Sequence, residues 1–222
     1  MSVMKVHKGA PVKVTFLFDK SNNWLVDFIN VDEIATRFPE YDFSQSYTPI
    51  DVKDQDLVFI LGYTKILKPE FLMANDLCLV VHESDLPKGK GFSPVQWQIL
   101  EGKNRITTCL IEAKEKVDSG PILFRDSIEF DGTELYAEIR QEQASSTIRL
   151  ITKLLKHYPD IERQSQSGLS TSYPRRRADD SELDPDKTLA AQFDLLRVCN
   201  NTSWPAFFWH RGKKYLLKIE EA

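Results

Sequence analysis

The chain has 222 residues, 41% of them hydrophobic and 28% charged, which suits one core of Rossmann size with a small appendage and argues against disorder. A formal net charge of −4 disfavours general nucleic-acid binding, which needs a broad basic face. Cys78, Cys109 and Cys199 are scattered among mostly apolar neighbours, so they read as reduced core thiols of a cytoplasmic protein, with neither zinc spacing nor a disulfide framework, and no apolar run suggests a membrane span or an export signal.

Residues 1–11 are short, mixed and without period, and read as a frayed leader. Val12 to Phe18 is the first strand; Asp19 to Asn23 form a polar turn, and Trp24, Leu25, Phe28 and Ile29 follow at helical spacing. A strand, a tight loop and a helix make the opening unit of a doubly wound domain, in which the helix start can hold an anion. No Gly-x-Gly-x-x-Gly occurs, which weighs against a nicotinamide dinucleotide. Tyr41 to Tyr47, between Pro39 and Pro49, reads as a loop or edge strand, and Leu57 to Leu61 as a buried strand. Gly62 to Pro69 then turns toward a helix starting near Pro69.

Leu77 to Val81 is a second buried strand that stops at His82, where Ser84, Asp85, Pro87, Gly89 and Gly91 open a loop. A ring delivered to a strand end lies where ligands bind in open α/β sheets. Two readings stand: proton work near neutral pH, or a loop histidine with a structural hydrogen bond. Ser93 to Leu100 is a short helix with a serine able to cap it and Pro94 in its first turn. Ile106 to Ile111 is a strand, and Glu112 to Val117 lead to Asp118 in a Ser119-Gly120 corner, often no more than a turn. Thr133 to His157 is the longest helical pattern. Gln164 to Ser172 reads as a loop, Arg175 to Arg177 as a basic cluster, Leu189 to Val198 as a helix, and the segments Ala206 to Trp209 and Tyr215 to Ile219 as a β-hairpin. The expected fold is a Rossmann-like doubly wound, mostly parallel α/β sheet with a small C-terminal helix and hairpin.

Several segments stand in a telling order: Tyr63-Thr64-Lys65-Ile66-Leu67-Lys68-Pro69; His82-Glu83-Ser84-Asp85-Leu86-Pro87 with Gly91 and Pro94; Asp118-Ser119-Gly120 about three dozen residues after His82; and Tyr173-Pro174-Arg175-Arg176. From Leu57 to Asp184 they resemble the core signature of the folate-dependent formyltransferases, whose members act on methionyl-tRNA, on glycinamide ribonucleotide or on amino sugars. The resemblance implies a catalytic unit over 12–184 and a small subdomain over 185–222. It implies transfer of a formyl group from 10-formyltetrahydrofolate to an amine, without a metal. His82 and Asp118 fall on the catalytic positions; Tyr63, Lys65, Ile66, Leu67, Val117 and Gly120 fall along the folate slot; Ser21, Asn22 and Asn23 lie in the loop that faces the amine. One position departs from the pattern: Val80 stands where the family has an asparagine that donates to the developing oxyanion.

The small tail and the negative charge favour a nucleotide-activated amino sugar over tRNA, with Ser84, Lys88, Lys90, Arg175 and Arg176 as acceptor contacts and the arginines on a diphosphate. The arginines read equally well as a solvated turn. Alternatives are a carrier-bound amino acid or aminoacyl-tRNA as acceptor, and an inactive binding module that kept the fold. A homodimer is compatible with either.

Overall fold

The computed structural model describes residues 10–21 and 24–222. Most of the leader, and Asn22 and Asn23 of the first loop, therefore lie outside the described residues.

Strand β1 (Val12–Phe18) places Val14, Phe16 and Phe18 in the main core and Leu17 in a second apolar cluster on the other face, so both faces are covered. That is why it reads as a nearly continuous apolar run. Trp24–Asp27 closes as one 3-10 turn, and helix α1 (Val31–Arg37) begins only after Asn30, whose side chain accepts from the amides of Asp32 and Glu33. The helical spacing at Trp24 thus marks a tight turn that leads into the helix, whose own start is fixed by the asparagine cap. Strand β2 (Tyr41–Ser46) pairs with β1 as a half-exposed edge, which explains its aromatic and polar alternation.

Next come β3 (Leu57–Leu61), α2 (Pro69–Met73), β4 (Leu77–His82), the two-residue β5 (Lys90–Gly91), α3 (Pro94–Leu100), β6 (Arg105–Glu112) and β7 (Ile122–Glu129). The long helix α4 (Tyr136–His157) is followed by β8 (Ser172–Tyr173), α5 (Phe193–Arg197) and the antiparallel hairpin of β9 (Ala206–His210) and β10 (Lys213–Leu217). The main sheet runs β2-β1-β3-β4-β6-β7; the first four strands are parallel, β6 runs against them, and β7 pairs antiparallel to β6 and so returns to their direction. Ser93 has a left-handed backbone and makes no side-chain cap, so α3 starts on Pro94 alone. Helix α4 lays Leu150, Ile151, Leu154 and Leu155 on the core. Its buried Ser146 exchanges a hydrogen bond with Thr108 (2.7 Å) and donates to Asp126 (2.9 Å). Among the described residues no helix is long and apolar enough to cross a membrane.

The C-terminal segment has its own apolar cluster of Leu183, Leu196, Cys199 and Ala206. Its charged anchor is Arg197, whose side chain is fully buried. The guanidinium meets Asp194 at 2.7 Å, Glu134 at 3.4 Å and Asn104 Oδ1 at 2.7 Å, tying α5 to the turn before α4 and to the start of β6. Arg197→Met takes the donors from Asn104 Oδ1 and the partly buried Glu134 while Asp194 keeps its access to water, so it should destabilise the chain by on the order of 2 kcal/mol. Urea unfolding followed by tryptophan fluorescence reads this directly; an unchanged midpoint at unchanged slope would contradict it.

Candidate active site

Side chains alternate along β4. Leu77, Leu79 and Val81 enter the main core, so Cys78, Val80 and His82 point to the opposite face. His82 ends the strand with only 5% of its surface exposed. Its Nε2 lies 2.8 Å from the Gly89 carbonyl oxygen, and because a carbonyl only accepts, Nε2 carries the hydrogen. Nδ1 is left as the nitrogen able to change its proton.

The loop that brings Gly89 there is braced from within. Ser84, 1% exposed, donates from Oγ to the Lys88 carbonyl at 2.7 Å and accepts at its own carbonyl from the Cys109 thiol. Gly89 has φ +69°, and a Cβ on it would fall 2.8 Å from the Tyr173 ring, so a side chain here would push the loop off the histidine. The next segment, Lys90–Gly91, pairs with β8.

Asp118 reaches the same place from the turn between β6 and β7. A Cβ at Gly120 would fall 1.7 Å from the Glu112 carbonyl oxygen, so only glycine lets the turn lie this close against the end of β6. Asp118 itself sits at φ +52°, a region that aspartate tolerates better than most residues. Its Oδ2 accepts from the Gly91 amide at 2.9 Å, and its Oδ1 lies 3.6 Å from His82 Nδ1. That gap is too long for a direct hydrogen bond but close enough for charge interaction and for a shared polar atom of a substrate or water. The imidazole is thus held by a carbonyl on one nitrogen and faced by a carboxylate on the other.

A second buried carboxylate, Asp19, binds the segment after β3 at Thr64 and stands in a stretch that reads only as a polar turn. Asp19 closes β1 and is 4% exposed; Oδ1 accepts from Ser21 N and Oγ, and Oδ2 from Thr64 N (2.9 Å) and Oγ (2.5 Å). Burial opposes its charge, but the Thr64 and Ser21 hydroxyls and amides outweigh it and hold the carboxyl well below the usual range. An aspartate ending an apolar strand was the signal available for it. Ser21 is thereby engaged by Asp19.

The remaining candidates sort by placement. Tyr63 and Leu67 pack with Val80 and Ala113 in one apolar cluster, so the segment after β3 and the segment after β6 meet beside Val80. Ile66 (78% exposed) and Val117 (54%) leave apolar side chains in solvent on those two segments, and Lys65 is exposed. Lys88 is exposed and Lys90 half-buried. Arg175 is exposed, stacks over Phe92 at 4.3 Å and reaches the Thr64 carbonyl at 3.5 Å, so it links the segment after β3 to the loop after β5. Arg176 turns the other way, donating to the carbonyls of Asp180 (3.0 Å) and Val198 (3.4 Å).

Residues 39–154, just over half the chain, match the family model described as formyl transferase. Methionyl-tRNA formyltransferase from Protochlamydia amoebophila is 28% identical over 167 residues, 73% of this chain and 52% of that protein. The chain spans about half the length of the curated relatives it matches. Among solved structures, a sugar N-formyltransferase from a Shewanella species aligns with a TM-score of 0.72 at 18% identity, over 95% of this chain and 98% of that one. HypX from Aquifex aeolicus in complex with tetrahydrofolic acid aligns with a TM-score of 0.77 at 16% identity, over 93% and 37%. At such identities these two likenesses are of fold.

The lowered Asp19 carboxyl carries a pH signature. A depressed folded pKa adds stability that is present above the unfolded carboxylate range, near about pH 4, and is lost as the pH falls through the folded value. The stability gap between the wild type and Asp19→Ala should therefore stay flat in the neutral range and shrink below about pH 4. Denaturant unfolding across pH measures it, and a gap that persists undiminished in acid would contradict the assignment.

Proposed function

This chain belongs to the formyl transferase family, and on that premise we propose that it moves a formyl group from 10-formyltetrahydrofolate to the amine of a nucleotide-activated amino sugar in the cytoplasm, with residues 12–184 as the catalytic unit. The observation that carries the proposal is the pairing of His82 Nδ1 with Asp118 Oδ1 across 3.6 Å at the carboxyl end of β4, the imidazole being oriented by the Gly89 carbonyl.

The proposed cofactor slot runs between Tyr63 to Leu67 and Val117 to Gly120, where Ile66 and Val117 expose apolar surface that a flat, partly apolar cofactor head would cover. 10-Formyltetrahydrofolate supplies the formyl carbon and the nitrogen from which it departs. His82, protonated on Nδ1, donates to the formyl oxygen as charge builds there during attack by the amine. Asp118 Oδ1 accepts the proton that the attacking nitrogen loses, directly or through one water. As the carbonyl re-forms and the old carbon–nitrogen bond breaks, His82 gives its Nδ1 proton to the folate nitrogen, and Asp118 returns a proton to His82. One proton leaves the amine and one reaches the folate, so the cycle balances.

Val80 cannot donate to the oxyanion, so the oxyanion rests on His82; the absent donor alone corresponds to a rate on the order of a hundredfold lower. Arg175, which spans Thr64 and Phe92, and Lys90 in β5 are the cations suited to an acceptor diphosphate. A second reading has one specific support: the curated relative reported above acts, by its name, on methionyl-tRNA, so aminoacyl-tRNA or a carrier-bound amino acid is the competing acceptor.

Incubation with 10-formyltetrahydrofolate and a panel of amines, with folate absorbance followed in time, separates these readings. Amino sugar nucleotides should react faster than aminoacyl-tRNA; the reverse order would transfer the proposal to the second acceptor. His82→Ala should lose roughly two to four orders of magnitude in turnover without unfolding, and Asp118→Asn should behave alike. A folded, fully active variant at either position would remove that residue from the chemistry. Lys90→Glu should raise the acceptor KM more than it weakens tetrahydrofolate binding in calorimetry, and an unchanged KM at low salt would exclude Lys90 from the acceptor site.

A further inference from the structure

Asp118 does not hold its conformation unaided. Both hydrogens of the Gln166 carboxamide nitrogen are spent on its turn, one on the Asp118 carbonyl at 2.9 Å and one on the Gly120 carbonyl at 2.8 Å. We propose that Gln166 is a positioning residue that keeps the Asp118 carboxylate facing His82; this rests on the catalytic reading of that pair given above.

The two accepted carbonyls bracket Ser119, so a single planar group fixes two peptide planes and with them the direction in which the Asp118 side chain leaves the backbone. Such a clamp matters because Asp118 lies at φ +52°, a region a residue with a Cβ occupies only where its surroundings enforce it. The orientation of the carboxamide is forced: turned over, its oxygen would face two carbonyl oxygens and gain no donor. In the orientation that clamps the turn, Gln166 Oε1 is buried and has no partner among the described residues, so the site retains an unsatisfied acceptor to keep both donors on the turn.

The segment that carries Gln166 also braces the histidine side. Gln164 exchanges two backbone hydrogen bonds with Ile122 just past the turn, and Arg163 pairs with Glu112 at 3.0 Å. Five residues after Gln166, Thr171 accepts from Gly89 N at 2.9 Å through Oγ1 and from Lys90 N at 3.0 Å through its carbonyl. Gly89 is the residue whose carbonyl holds His82 Nε2. One strap between α4 and β8 therefore ties down both halves of the pair, and Gln166 is its contact with the peptide of Asp118 itself.

Gln166→Glu keeps the shape and removes both donors, while Gln166→Ala removes the group. Both should lower kcat by about tenfold to a hundredfold, the usual consequence of a misplaced catalytic group, with the amine KM changed less. Partial recovery is expected for Gln166→Glu as the pH falls and its carboxyl regains a hydrogen, and none for Gln166→Ala. A readout without turnover accompanies these: the NMR amide signal of Gly91, which donates to Asp118 Oδ2, should shift in both variants as the carboxylate turns away. Near-normal kcat and an unmoved Gly91 amide signal in both Gln166 variants, with Asp118→Asn inactive, would overturn the inference and leave the catalytic pair standing. A fully active Asp118→Asn would instead overturn the catalytic reading. If Gln166→Ala fails to fold, the isosteric Gln166→Glu alone decides between these outcomes.

Discussion

The hydrogen bond from His82 Nε2 to the Gly89 carbonyl sets the terms for the rest of the site. It places the hydrogen on one nitrogen of the ring, so Nδ1 is the one assigned to the proposed chemistry, and it turns that nitrogen toward Asp118. The bond exists only because Gly89 adopts a left-handed backbone in a space that a Cβ would fill, and because Ser84 and Thr171 close the loop around it from inside and outside. A sheet end supplies the ring and a braced loop supplies its orientation. The carboxylate is delivered separately, by a turn pressed against β6 through Gly120.

This arrangement explains how the proposed chemistry proceeds without the family asparagine. Val80 and His82 share one face of β4, two residues apart, so an asparagine at 80 would project from the same face as the imidazole. Valine there packs in an apolar cluster with Tyr63 and Leu67 and leaves the oxyanion of the proposed reaction to the imidazole. The proposal therefore carries a slower rate with the same order of steps.

Much of the frame could be read from sequence, and particular residues show why. Strands β1, β3, β4 and β6 are covered on both faces and announce themselves as apolar runs, and the alternation of β4 carries His82 to its end. Strand β7 escaped notice because Arg125, Asp126 and Ser127 break its pattern; Asp126 is neutralised by Arg149 and Ser146 across the fold, a contact no local pattern contains. The same holds for Arg197, whose partners Glu134 and Asn104 are far away in sequence, and for Arg176, whose neighbour Arg175 looks equivalent in sequence but turns the other way. At the site, His82 and Asp118 were legible as a pair, whereas Asp19 and Gln166 were not. Both sit in stretches whose composition says only turn and loop, and their importance lies in hydrogen bonds to segments 45 and 48 residues away.

The claim at the centre of this account is that His82 Nδ1 meets the formyl oxygen. A crystal structure with a stable formyl-bearing folate analogue bound tests it most directly. The account predicts the pteridine between Tyr63 to Leu67 and Val117 to Gly120, with the formyl oxygen about 2.7–3.2 Å from Nδ1 while Nε2 keeps its bond to Gly89. A folate bound elsewhere, or a formyl group directed away from His82 with the ring still held in place, would contradict it.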